Sequence, residues 1–388
     1  MRNADRSIGR AAVVTLAAFD LLASRLRKRG VTAGHEPGRI LAIKLVGLGD
    51  TVLMLTPLKK VREAFPRAEI SVLVTPLSTG ILEGQPQVDR LIVHDMLRRD
   101  AGPSGLVRLV KRLRSYGFDL VIDFEQHFQM TAILAYLCGA KRRIGLYYTG
   151  NPRRRLFTDH VFFDPDRHMV DNYMRLLEPL GIRPDPVTVL EPVQVGAQDR
   201  GVAEAWLEDR RRHPERPLFG MHAGSGLRAP EKRWPSERFA EIIRRANAEY
   251  GAEVILTGDD DEAGLADSIL KEAGVADAYN AAGCLSIKQT AALIGKCDLF
   301  ISNDTGPMHI AASVGTPTLG LFGPEMPLRY GPVGERTSSI FKGVSCSPCV
   351  AIHRGKSENC GRGVCMEAIS IEEVWNAVRR LYNVRAAR

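Results

Sequence analysis

The stretch from Ser302 to Pro324 reads Ser-Asn-Asp-Thr-Gly-Pro-Met-His-Ile-Ala-Ala-Ser-Val-Gly-Thr-Pro-Thr-Leu-Gly-Leu-Phe-Gly-Pro, and its parts make an anion-binding device. Leu299-Phe300-Ile301 predicts a buried strand, and Asn303-Asp304-Thr305-Gly306 a turn carrying polar side chains. Met308 to Val314 predicts a helix that Gly315 ends, and Thr318 to Phe322 the next strand. A helix N-terminus at the carboxyl end of a parallel strand offers free backbone N–H groups and a positive dipole end. Phosphate or diphosphate is the natural guest. The same residues would also serve an ordinary βα turn in which Asp304 or Thr305 caps the helix.

Other residues could join this chemistry. Gly47-Leu48-Gly49-Asp50 is a Gly-rich turn that would expose the Asp50 carboxylate at the start of a helix, as a base or merely as a cap. Lys232 follows the loop His222-Ala223-Gly224-Ser225-Gly226, where its point charge could meet two phosphates; a surface lysine is the plainer alternative. Asp259-Asp260-Asp261-Glu262 looks like a divalent-metal site. It lies just past Gly258 at a strand end, however, where acidic residues also start helices, and we do not read it as a metal site. Cys346, Cys349, Cys360 and Cys365 have spacings that could hold a structural zinc. Thiols used in packing and two disulfides are the competitors, the latter disfavoured in a reducing cytoplasm. Cys138, Cys284 and Cys297 sit in apolar contexts and read as core.

The elements that must position these groups alternate. Strands are expected at Ile40–Leu45, Ile70–Val74, Leu91–His94 and Leu120–Phe124, with helices at about Thr51–Ala64 and Gly105–Tyr116. After a Pro-rich region the alternation restarts, with strands at Leu218–His222, Val254–Thr257, Leu299–Ser302 and Thr318–Phe322. The helices there fall near Val202–Arg212, Ser236–Tyr250, Asp260–Ala273 and Ile287–Ile294. Such alternation indicates parallel, doubly wound sheets, here in two domains facing a cleft.

The 388 residues are enough for two cores, and the hydrophobic (45%) and charged (25%) shares exclude a disordered or fibrous chain. The net charge of +8 is clustered in the first half: Arg108, Lys111, Arg112 and Arg114; Lys141-Arg142-Arg143; Arg153-Arg154-Arg155. Such clusters can face nucleic acid, anionic lipid or a phosphorylated substrate, or simply solvent. Ala11 to Ala23 is mostly apolar but interrupted by Asp20 and flanked by basic residues. It is too short and too charged to span a bilayer, and lacks an evident cleavage site. It suits either an interfacial helix or one packed on the protein.

Four motifs in order resemble one family: Ile43-Lys44-Leu45-Val46-Gly47-Leu48-Gly49-Asp50, Lys232-Arg233-Trp234-Pro235, the block ending Phe322-Gly323-Pro324, and Cys346-Ser347-Pro348-Cys349 with the later cysteines. From about Arg39 onward the chain is similar to glycosyltransferase family 9, the heptosyltransferases of lipopolysaccharide inner-core assembly. The resemblance implies a GT-B fold of two Rossmann-like domains. On that basis we expect a basic extension over 1–38, an acceptor domain over 39–195, and a nucleotide-sugar domain over 196–388 that includes the Cys-rich segment 346–365.

The resemblance also implies the chemistry: inverting transfer of a sugar, heptose from ADP-heptose being the expected donor, to a hydroxyl of a lipopolysaccharide core or related glycolipid. Asp50 falls at the family's base. A helix N-terminus stabilises a carboxylate, so Asp50 would take the proton late, as the new C–O bond forms. Lys232 maps to the diphosphate contact, with Arg233 as the fallback; Asp304, Thr305, Gly306 and His309 map around the donor sugar and diphosphate. Glu262 is the choice for the ribose. Lys44, Arg142, Arg143 and Arg153 are acceptor-phosphate candidates. No cofactor is required for catalysis. The expected setting is the cytoplasm, peripherally on the inner face of the cytoplasmic membrane. The rivals are a family 9 transferase with another nucleotide sugar, an epimerase on the same fold, and a basic nucleic-acid-binding protein with a zinc knuckle.

Overall fold

The computed structural model describes residues 9–17, 36–226, 229–351, 356–357 and 363–386. A helix over 10–17 (α1) precedes the first alternating run. That run is β1 (Arg39–Ile43), α2 (Leu48–Ala64), β2 (Glu69–Val74), β3 (Arg90–Val93), α3 (Gly102–Tyr116), β4 (Leu120–Asp123), α4 (Gln129–Leu137), β5 (Arg142–Tyr147) and β6 (Asp159–Phe162). The second run is α5 (Ala197–Glu208), β7 (Leu218–His222), α6 (Ser236–Tyr250), β8 (Glu253–Leu256), α7 (Ala263–Ala273), β9 (Ala278–Asn280), α8 (Ile287–Gly295), β10 (Leu299–Asn303), α9 (Gly306–Ser313), β11 (Thr318–Phe322), the short α10 (Pro327–Tyr330) and β12 (Thr337–Phe341). A long helix, α11 (Ile371–Ala386), follows.

Each run folds into a six-stranded parallel sheet, ordered β3-β2-β1-β4-β5-β6 in the first and β12-β11-β10-β7-β8-β9 in the second. Read from its far edge, the second sheet repeats the order of the first. Both are doubly wound, as the alternation predicts. Strands β1, β7, β10 and β11 are mostly apolar and, Arg39 apart, buried at every residue, as parallel strands covered on both faces are. Strands β5, β6, β9 and β12 were not expected. β5 opens on Arg142-Arg143, β9 has three residues, and Thr337-Ser338-Ser339 gives β12 a polar face. β6, β9 and β12 are sheet edges and β5 lies next to one, which excuses such residues from the core, so their pattern resembles surface loop.

The chain divides into two compact units: Met1–Gly47 with Met54–Pro165 and Val170–Pro186, and Leu48–Leu53 with Asp166–Met169 and Val187–Arg388. In the first, Val13 and Ala17 of α1 share one apolar cluster with Leu109 and Leu113 of α3 and Ala132 to Ala135 of α4. This part of the N-terminal segment is thus packed on protein; residues 1–8 and 18–35 lie outside the described residues. In the second unit, α6, α7 and α11 share one cluster, and α5 and α8 another. Among the described residues no helix is long and apolar enough to cross a membrane.

Candidate active site

In doubly wound sheets, ligands bind outside the carboxyl ends of the strands where the strand order reverses. In the second sheet that point lies between β7 and β10. Asn303, the last residue of β10, is buried there. Its Nδ2 donates to the carbonyls of Ala223 (2.8 Å) and Gly224 (3.2 Å), and its Oδ1 accepts from the Trp234 N–H (3.1 Å). One amide therefore ties together the loop after β7, the end of β10 and the entry to α6. Trp234 packs edge-on against Phe239 and donates from Nε1 to Ile369 O, which makes it core. Arg233 laces the β7 loop, with Nε donating to Ser225 Oγ (3.1 Å) and Nη2 to Gly226 O (3.3 Å).

Glu262 lies beneath the same loop. Its Oε1 accepts from Gly226 N–H (2.9 Å), and it forms a reciprocal capping box with Asp259. A Cβ on Gly224 would stand 2.0 Å from Glu262 Oε1, so only glycine lets the carboxylate lie this close. His222 Nε2 is 3.7 Å from Glu262 Oε2. Burial lowers the His222 pKa, and the Glu262 charge offsets part of that.

Lys232 ends a short 3-10 turn, Pro230–Lys232. Its Nζ lies 2.5 Å from Asp304 Oδ2 and 3.4 Å from Asp304 O. Burial opposes the ammonium, but Asp304, by charge and hydrogen bond, and then Glu325 and Glu231 leave its pKa raised. Thr305 occupies the N-cap of α9 yet makes no side-chain cap bond; its Oγ1 donates to Asn303 O at 3.2 Å. The first N–H groups of α9 are therefore not closed by the capping side chain. His309, in the first turns of α9, is 2% exposed, and its Nδ1 has no hydrogen-bond partner among the described residues. Burial, then His168 and Lys232, push its pKa down to about 3, so the imidazole is neutral.

Two site residues escaped the sequence analysis. Glu325 directly follows Phe322-Gly323-Pro324, and Arg329 comes one helical turn later. Arg329 Nη2 lies 3.3 Å from Glu325 Oε1, and both side chains are buried. Burial drives the Glu325 pKa up to about 7 against the pull of Arg329, while Asp304 raises it further. The (i, i+4) acid–base spacing was the available signal. Asp50 sits in the first turn of α2, after Gly47 at φ 92°, a backbone conformation that suits glycine. It belongs to the second compact unit, where its charge is the largest influence after burial raising the pKa of Tyr330.

The four acceptor candidates do not form one cluster. Lys44 follows β1 and is 1% exposed, with Nζ 3.2 Å from Glu125 Oε2. Glu125 Oε1 also accepts from the N–H groups of Leu45 (2.8 Å) and Val46 (2.7 Å). Arg153 is fully buried, with Nη2 2.5 Å from Asp123 Oδ2 and 3.2 Å from Thr131 Oγ1. Burial raises the Asp123 pKa to about 6, although Arg153 opposes this. Arg142 and Arg143 begin β5, at the opposite end of the strands from Lys44. Arg142 binds Asp159 and the Pro179 carbonyl; Arg143 donates to Leu156 O (2.8 Å) and Ala140 O (2.7 Å).

The glycosyltransferase family 9 (heptosyltransferase) sequence profile matches residues 106–359, more than half of the chain. The chain belongs to glycosyltransferase family 9. Among curated proteins, this family 9 transferase is 28% identical to the lipopolysaccharide core heptosyltransferase OpsX of Haemophilus influenzae, over 77% of this chain and 82% of that one. It is 27% identical to lipopolysaccharide heptosyltransferase 2 of Salmonella typhimurium, over 78% and 87%. Among solved structures, a family 9 glycosyltransferase from Veillonella parvula superposes with TM-score 0.78 at 27% identity, covering 89% of this chain and 97% of that one. The two parallel sheets are those of the GT-B fold.

Two described cysteines of the family 9 enzyme, Cys349 and Cys365, lie against Gly323-Pro324. Cys349 N–H donates to Pro324 O (3.0 Å), and a Cβ on Gly323 would meet Cys365 Sγ at 2.7 Å. Cys346 is exposed, and Cys360 lies outside the described residues. Among the described residues no group of three His, Cys, Asp or Glu side chains is placed to hold a metal, so the three described cysteines do not form a zinc site by themselves.

Proposed function

We propose that this protein transfers heptose from ADP-heptose to a hydroxyl of a lipopolysaccharide core acceptor, with inversion at the anomeric carbon. The observation that carries the donor side is the Lys232–Asp304 pair beside the start of α9, which has no side-chain cap bond, with His309 Nδ1 lacking a partner among the described residues. A diphosphate there would meet an ammonium, backbone N–H groups and the dipole of α9. Lys232 would then neutralise the charge that grows on the departing ADP. A carboxylate cannot grip phosphate, so Asp304 would accept hydrogen bonds from sugar hydroxyls, as would neutral His309 if its Nδ1 is the unprotonated nitrogen. Glu262 serves the ribose while its Oε1 holds the Gly226 strap.

Asp50 takes the acceptor hydroxyl proton as the new bond to the anomeric carbon forms. The old bond to the phosphate oxygen breaks with its electrons on ADP, and no covalent sugar–enzyme intermediate arises. The step needs no cofactor, and the cysteines enter as a structural segment. Lys44 and Arg153 act as positioning residues for the loops at the carboxyl ends of β1 and β4, given their buried carboxylate partners. The acceptor names come from the relatives, heptosyltransferases of lipopolysaccharide or its core. The proposed site of action is the inner face of the cytoplasmic membrane.

The test incubates the purified protein with a panel of nucleotide sugars and a lipid A–core acceptor. ADP release and a heptose-sized mass increase of the acceptor, both lost in Asp50→Ala, are expected. Turnover of another nucleotide sugar in preference would replace heptose in this proposal. No turnover of any sugar nucleotide would end it.

A further inference from the structure

Helix α3 has the sequence Gly-Pro-Ser-Gly-Leu-Val-Arg-Leu-Val-Lys-Arg-Leu-Arg-Ser-Tyr, without one acidic residue. Gly105, Leu109 and Leu113 recur at four-residue spacing and are buried, so they fix the inner face. The helical period then places Val107, Lys111 and Arg114 opposite, with Arg108 at the flank, and all four are exposed. Val107 is 53% exposed. Just ahead, Leu97 is 60% exposed and is followed by exposed Arg98 and Arg99. Between Leu97 and Tyr116 there are six cations and one acid, Asp100. Asp100 is engaged by Arg99 (3.2 Å) and Arg108 (3.9 Å), which leaves a strong positive excess. Helix α1, in the same apolar cluster as α3, adds the exposed Val14.

We propose that the outer face of α3, together with Leu97-Arg98-Arg99, is a docking surface for an anionic lipid bilayer. Headgroup phosphates meet the arginines and Lys111, while Leu97 and Val107 enter the boundary between headgroups and acyl chains. The exposed aliphatic side chains among the cations favour this occupant over nucleic acid. A nucleic-acid backbone rewards the cations but gains nothing from Leu97 or Val107. Single strands call for stacking aromatics, and none of the exposed large hydrophobic residues on this face is aromatic. The surface rests on the proposed placement at the inner face of the cytoplasmic membrane; its residues belong to the first unit, outside the proposed active site, so a failure to bind vesicles leaves heptosyl transfer to be judged by its own assay.

The experiment is cosedimentation of the full chain with phosphatidylglycerol-rich vesicles, with pure phosphatidylcholine vesicles as the neutral arm. Wild type binds the anionic vesicles, and binding falls as salt rises. Each cation near such a surface contributes roughly fivefold in partitioning, so R108Q/K111Q/R114Q loses roughly a hundredfold. The three single variants, at roughly fivefold each, carry the test if the triple variant misfolds. Leu97→Ser with Val107→Ser weakens binding even at the lowest salt. Wild type that ignores anionic vesicles, or a triple variant that binds as wild type does, overturns the proposal. So does tight duplex or single-strand binding by fluorescence anisotropy that the triple variant loses while vesicle binding persists.

Discussion

Lys232 Nζ lies 2.5 Å from Asp304 Oδ2, so the cation assigned to the departing diphosphate is held by the residue just before the N-cap of α9. A diphosphate must therefore compete with Asp304 for it. Lys232→Met is expected to lower kcat/KM by about 10²–10³, the range for removing one group that stabilises transition-state charge. Asp304→Asn is expected to bind ADP more tightly while kcat falls, because the lysine loses its anionic competitor. Titration calorimetry with ADP checks the first half and steady-state kinetics the second. Weaker ADP binding by Asp304→Asn would sink this account.

Glu325 has a folded pKa of about 7 against an ordinary 4.5, chiefly through burial. The folded protein then holds a proton that the unfolded chain has released, so this group makes stability fall as pH rises from about 4.5 to about 7. That gap corresponds to roughly 3 kcal/mol as an upper bound. In Glu325→Gln the decline over this window should flatten relative to wild type. Urea unfolding at half-unit pH steps measures it. Parallel curves for the two proteins would show that Glu325 does not titrate there.

Gly224 leaves no room for a Cβ beside Glu262 Oε1. Gly224→Ala should push the Glu262 carboxylate off the Gly226 N–H and loosen the strap over the donor site. A cost of about 1–3 kcal/mol is expected from the hydrogen bond alone. ADP affinity should fall with it, and Glu262→Gln should restore neither. An alanine variant with wild-type melting and ADP binding would mean that the loop yields without consequence.

Arg153 and Asp123 are both fully buried. Removing one member leaves a charge or a polar group stranded, so Arg153→Met should destabilise by roughly 3–5 kcal/mol. Asp123 would then favour its protonated form even more strongly. The double variant Arg153→Met with Asp123→Leu should recover much of the loss. Chemical denaturation of the four proteins closes the cycle; no recovery would argue against a simple pair.

Much of the fold can be read in the sequence because buried parallel strands are unbroken apolar runs. Leu218–His222, Thr318–Phe322 and Ser236–Tyr250 have the boundaries expected. Strands at or next to a sheet edge lack that signature, and Arg142-Arg143 reads as surface charge until β5 is seen pairing with β4 and β6. At the site, Trp234 announces its packing role as a large aromatic side chain. Glu325 does not, because its significance comes from burial beside Lys232 and Asp304, which sequence spacing cannot express. The basic residues need the structure too. Lys44 and Arg153, acceptor-phosphate candidates in the sequence, have buried carboxylate partners, Glu125 and Asp123, that no spacing foretells.

Asn303 gives the donor loops a thermodynamic character of their own. Its three hydrogen bonds, to backbone groups of Ala223, Gly224 and Trp234, all lie within the protein. The freedom of those segments is thus surrendered during folding and not at the encounter with substrate. Affinity for the nucleotide should accordingly carry a small conformational penalty, and the heat and entropy of its binding should reflect mainly charge and desolvation. An alanine at this one position would shift that penalty to the binding step, turning a ready-made cradle into one that each incoming molecule has to assemble.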